Sequence, residues 1–236
     1  MSDTGRSLVC RYQIAVTEDD LRPIPQVVAP FTLSGFKQTK PLCKWFFKDT
    51  LERQALGLLL SDVLEDIRRA YEDSWEIFGK IKFIESETEQ GSDIVIQFSP
   101  TPAPEANQAA WDTVTLADTV YPNTGTPDAG HMYINPNIKW VSWYGNTQRK
   151  VPIPGDSYDL GTMIRHEAGH SFGLAHSMDP TACMYAYYHF IPFPALLPKD
   201  DQLAVRAQTG PNDVWSDPLK QRLLTNLGYT QADIAP

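Results

Sequence analysis

The chain has 236 residues, a formal net charge of −9, 42% hydrophobic residues and 21% charged residues, an ordinary balance for a soluble globular protein. The acidic balance excludes a partner bound through phosphate neutralisation, which requires clustered Lys and Arg, so no nucleic acid is expected. No apolar run approaches the ~20 residues of a bilayer span, the start MSDTGRSLVCRYQIAV lacks a secretory apolar segment, and Cys10, Cys43 and Cys183 are too few for a disulfide framework, which leaves the compartment open.

Residues 1–40 carry Pro23, Pro25 and Pro30 with no sustained helical or alternating pattern and read as an extended arm lying on a domain. From Leu60 the period changes. Leu60, Val63, Leu64, Ile67, Tyr71, Trp75 and Phe78 recur at three and four, predicting one amphipathic helix that Gly79 ends, with Ser61 or Asp62 near its cap. IKFIE (81–85) and SDIVIQF (92–98) are short strands, and WDTVTLADTVY (111–121) and GHMYIN (130–135) are further strands parted by the turn cluster between them. WVSWYGNTQRKVPIPGDSYDLG (140–161) reads as loop.

LGTMIRHEAGHSFGL (160–174) predicts a second helix with Leu160, Met163 and Ile164 toward the core. FIPFPALLP (190–198) is proline-broken loop, DDQLAVRAQTG (200–210) opens with carboxylates suited to a helix start, and LKQRLLTNL (219–227) holds one short helical pattern. Helices alternating with strands predict a sheet packed on helices, α/β or α+β. The division expected is an arm at 1–40, a catalytic domain at 41–210 and an extension at 211–236.

The chemistry concentrates in HEAGHSFGLAH, His166 to His176. Residues four apart on a helix are rotated by roughly 40°, so His166 and His170 can aim at one ion. Zinc accepts neutral imidazole and, at a catalytic site, takes three protein ligands and leaves one position for water. Glu167 lies about 100° around the helix, outside the ligand row but within reach of that water as general base. On a continued helix His176 would point roughly 240° away from His170, so the helix must stop between them. Gly173 permits the stop, because it tolerates positive φ.

The pattern HExxHxxGxxH resembles the metzincin zinc-metalloprotease signature. The continuation HSMDPTACMYAYY resembles that of the matrixins, with Ser177 after the third histidine and Met184 in the Met-turn; RRAYEDSWE, SDIVIQF, GHMYINPNIKW and KDDQLAVRAQTG are similar to further matrixin segments, so the likeness spans about 44–210. It implies an α+β metzincin-type zincin fold: a mixed twisted sheet packed on an active-site helix and a backing helix, a Met-turn and a small C-terminal subdomain. It also implies one catalytic Zn2+ on His166, His170 and His176, Glu167 as base and acid, and Met184 as an apolar floor. The substrate is then a protein or peptide, paired along WDTVTLADTVY, with 184–198 forming the wall of a pocket for a hydrophobic residue just after the scissile bond.

The chain departs from the family at two places. Tyr133 stands where many matrixins place a histidine for a second, structural zinc, with His131 displaced by two, so no such zinc is expected. Ala186, two past Met184, argues against a tyrosine ligand. Calcium is left open, and a monomer is expected. The alternative readings are a catalytically silent zinc-containing protein-binding module and a hydrolase of non-peptide amides. The arm is open between removable propeptide and structural clamp, with Cys10, Asp19 or Asp20 as groups that could block the zinc.

Overall fold

The computed structural model describes residues 31–106, 108–142, 155–191 and 196–212, with isolated positions 221, 224, 225 and 230. Cys10, Asp19, Asp20, most of the loop at 140–161, residues 192–195 and most of LKQRLLTNL lie outside the described residues. Among the described residues no helix is long and apolar enough to cross a membrane.

Alternating burial in LCKWFFK forms β1 (Leu42–Lys48), which sends Cys43, Trp45 and Phe47 into the core. A short helix, α1 (Leu51–Ala55), follows it. The predicted amphipathic helix is α2 (Leu60–Ala70), capped at Leu59 with no side-chain cap, so neither Ser61 nor Asp62 serves that role. It runs through a π-turn (Tyr71–Trp75) into α3 (Glu76–Phe78). Gly79 then leaves in an extended conformation, and a Cβ there would come within 2.5 Å of Val205 Cγ2.

The remaining strands are β2 (Lys82–Glu85), β3 (Ile94–Phe98), β4 (Ala117–Thr119) and β5 (Met132–Ile134). They join β1 in a five-stranded sheet of order β2-β1-β3-β5-β4. All pairs are parallel except β4 with β5, which places an antiparallel strand at one edge. The mixed sheet with helices is α+β. The strand expected over 111–121 shrinks to three residues because Asp112 captures the N–H groups of Val114 and Thr115 at 2.9 and 2.6 Å, turning the chain before β4. In the segment read as loop, β6 (Trp140–Val141) pairs with β7 (Tyr158–Asp159).

Asp159 ends β7 and caps α4 (Leu160–Ser171), accepting hydrogen bonds from the N–H and the hydroxyl of Thr162. α5 (Lys199–Thr209) follows, with Asp200 and Asp201 in its first turn as the sequence predicts. Between the sheet and these helices lie Trp45, Trp75, Phe83, Ile96, Met163 and Phe172, all fully buried or nearly so. Two bonds fasten α4 to the backing helix: Trp75 Nε1 donates to the Arg165 carbonyl at 2.8 Å, and Tyr71 and Ser171 share a hydroxyl bond of 3.0 Å. The π-turn lies between these two anchors. On the opposite face of the sheet, Ala103, Val120 and Tyr133 form a smaller apolar cluster.

Candidate active site

The side chains that matter come from α4, from the turn after it and from the segment around Met184. His166 Nδ1 donates to the Cys183 carbonyl and His170 Nδ1 to the Leu174 carbonyl, each at 2.7 Å. Those bonds fix the tautomers, so both Nε2 atoms are lone-pair acceptors, and they face each other at 3.1 Å. The helix ends at Ser171, and Gly173 adopts φ +109°. A side chain at Gly173 would collide with the Phe36 carbonyl oxygen, so this position needs glycine twice over.

The turn brings His176 back, with its ring 5.3 Å from that of His166 and 4.9 Å from that of His170. One ligand atom from each of the three histidines lies within 4.8 Å of the others. His176 Nε2 is buried without a hydrogen-bond partner among the described residues. Burial pushes the His166 imidazolium down to about 3 and His176 to about 4, and drives His170 well below its ordinary value of 6.5. Three neutral imidazoles with free nitrogens aimed at one point are the donor set that zinc takes, so these residues fit that metal.

Glu167 is fully buried. Burial pushes its carboxyl up to about 8; the Thr119 hydroxyl works against that shift and the Asp118 charge adds to it. β4 brings Thr119 here: Thr119 pairs with Met132, which faces the main core, whereas Asp118 pairs with Tyr133 on the opposite face.

Met184 is buried, and a Cβ at Gly169 would strike its sulfur, so α4 approaches this segment at its one residue without a side chain between His166 and His170. Asp201 holds the segment, accepting from Cys183 N at 2.6 Å and Met184 N at 3.0 Å. Ser177 N donates to the Met184 carbonyl at 2.8 Å, tying the residue after His176 to the same loop. Tyr188 hydroxyl accepts from Asp159 N at 2.9 Å and anchors the following segment to the start of α4, while Tyr187 and Phe190 are exposed.

The structure thus brings His166, Glu167, His170, His176, Gly173 and Met184 together. His131 lies apart, its Nδ1 3.5 Å from Asp128, and Tyr133 packs with Ala103 and Val120. Sequence reasoning missed Thr119, Tyr121 and Asp201. Tyr121 meets the His170 ring edge-on, at 5.7 Å and 82°. These three are recruited by sheet register and helix docking, and nothing in local spacing marks them.

Residues 47–208 match the matrixin (peptidase M10) family. Over 154 residues the chain is 31% identical to human matrix metalloproteinase-16, covering 62% of this chain and 24% of that protein. Over 176 residues it is 28% identical to karilysin of Tannerella forsythia, covering 74% of this chain and 34% of karilysin. A shorter stretch of 61 residues is 44% identical to human matrix metalloproteinase-20, covering 25% of this chain and 13% of the relative. The chain therefore spans about a third or less of the length of these curated relatives.

Proposed function

The chain belongs to the matrixin family of metzincins, and from that membership we propose that it is a zinc-dependent endopeptidase with His166, His170 and His176 as metal ligands and Glu167 as general base. The observation that carries this reading is the convergence of three imidazoles, two with Nδ1 committed to backbone carbonyls, beside a fully buried carboxylate. Zinc, when bound there, supplies a Lewis acid for the scissile carbonyl and acidifies water.

The protein residues do the rest. Glu167 takes a proton from water as its oxygen attacks the carbonyl carbon, then delivers that proton to the amine nitrogen as the C–N bond breaks. The position of β4 at the edge of the sheet supports pairing with an extended peptide, with burial of Glu167 keeping bulk solvent from the proton. The exposed rings of Tyr187 and Phe190, just beyond Met184, support a preference for a hydrophobic residue after the scissile bond. Gly173 and Met184 are support residues, the first for the turn to His176 and the second as a floor beneath the metal. The catalytic unit is 41–210 with an arm before it and an extension after it, acting as a monomer on proteins or peptides.

The test is cleavage of a diverse peptide library by zinc-loaded protein beside Glu167→Gln, with zinc content measured on both. Wild type should cut, and the variant should keep one zinc while losing about a thousand-fold or more in kcat. Zinc retained by both with no cleavage by either would favour the silent binding module. Cleavage confined to non-peptide amides would point to the other hydrolase class.

A further inference from the structure

Residues 31–38 reach His170 by two independent routes. The first is backbone pairing. Ala175 N donates to the Thr32 carbonyl at 2.9 Å and Ser34 N to the Gly173 carbonyl at 3.1 Å, closing a bridge of Leu33 with Leu174. Leu174 supplies the carbonyl that holds His170 Nδ1. The second route is aromatic: Phe36 stacks on Tyr121 at 5.7 Å and 15°, and the Tyr121 ring stands edge-on to His170 at 5.7 Å and 82°.

Both ends of the second route are pinned. Gln208 Nε2 donates to the Phe36 carbonyl at 2.8 Å and to the Phe172 carbonyl at 3.0 Å, and the Asn123 side chain donates to the Lys37 carbonyl. A single hydrogen bond at Nδ1 fixes an imidazole's tautomer and one direction, but leaves the ring free to tilt about that bond. An edge-on aromatic neighbour sets the ring plane, and such a pair is worth about two- to ten-fold in an equilibrium constant.

We propose that Phe36 and Tyr121 form an aromatic relay that positions His170, making the strap at 31–38 a working support of the metal centre rather than a detachable cover. This rests on the zinc reading above. The His170 Nε2 lone pair must point at the ion within a narrow cone, so freedom of the ring costs affinity before it costs fold. Groups that orient histidine ligands from outside typically contribute 10- to 100-fold to metal affinity.

The experiment uses the full chain and compares wild type with Phe36→Leu, Tyr121→Leu and Tyr121→Phe. The zinc Kd is read by competition with a chromophoric chelator, the visible bands of the cobalt-substituted proteins are recorded, and metal-free thermal unfolding is followed. Phe36→Leu and Tyr121→Leu keep apolar bulk; each should weaken zinc about ten-fold and alter the cobalt bands. Tyr121→Phe, which keeps the ring, should stay within about three-fold of wild type. Lowered metal-free stability with unchanged zinc affinity and cobalt bands would overturn the relay and leave the metal centre standing. A wild-type chain that takes up no zinc would overturn the metal centre itself.

Discussion

At the scale of single residues the informative group is Glu167, a carboxyl sealed from solvent whose pKa burial pushes from an ordinary 4.5 up to about 8. A raised carboxyl pKa means that the folded state prefers the neutral acid. Its stabilising effect is therefore fully present below about 4.5 and is lost as pH rises towards 8. In the metal-free protein Glu167→Gln, which cannot ionise, should gain thermal stability relative to wild type between pH 5 and 8. A cation on the neighbouring histidines reverses the local balance, because it favours the charged carboxylate. Carbon-detected NMR titration of labelled glutamate should show the Glu167 pKa falling when zinc is added. A pKa that stays put on zinc addition would mean that the carboxylate does not face the metal.

At the scale of elements, the parts that could be read from the sequence are those whose logic is local. His166, Glu167 and His170 share one helix, so the 3.6-residue repeat fixes their relation, and Gly173 marks the stop that frees His176. β1 was not read because Phe46 interrupts the alternation of Cys43, Trp45 and Phe47 with an outward aromatic. The full length of 111–121 was misread as strand because β-branched residues suited a strand while Asp112 was capturing the backbone N–H groups. Asp201 was read only as a favourable opening for α5, yet it holds both N–H groups at Cys183 and Met184 from a position 17 to 18 residues away. Asp201→Asn keeps one acceptor oxygen and turns an NH2 toward the other N–H. Leaving a buried donor unsatisfied costs about 1–3 kcal/mol, which for a chain of this size lowers Tm by about 2–4 °C per kcal/mol. Differential scanning calorimetry should record a loss of about 5 °C; an unchanged Tm would show that the clamp on the Met184 segment is dispensable.

At the scale of the whole molecule, the question is where the folded unit begins. A boundary at residue 40 follows from composition, since the prolines before it break every regular pattern. The contacts point further upstream. Thr32, Ser34, Phe36 and Gln38 all exchange backbone or side-chain hydrogen bonds with residues 172–175 after α4 or with α5, and Phe31 N donates to Asp200 at 3.0 Å. These bonds close over a long sequence separation, 169 residues in the case of Phe31 and Asp200, so they staple the start of the described chain to the turn after α4 and to α5. Each is worth about 0.5–1.5 kcal/mol net, and together they amount to about 3 kcal/mol or more. A chain beginning at residue 41 should therefore melt at least about 6 °C below one beginning at residue 30, at 2–4 °C per kcal/mol, with both measured metal-free so that zinc linkage does not enter. If residues 31–40 are instead a removable cover, the two chains will melt together and the shorter one will be the better enzyme. Under the first role the shorter chain loses melting temperature; under the second it keeps its melting temperature and gains peptide turnover, so the two measurements on the same pair separate the roles.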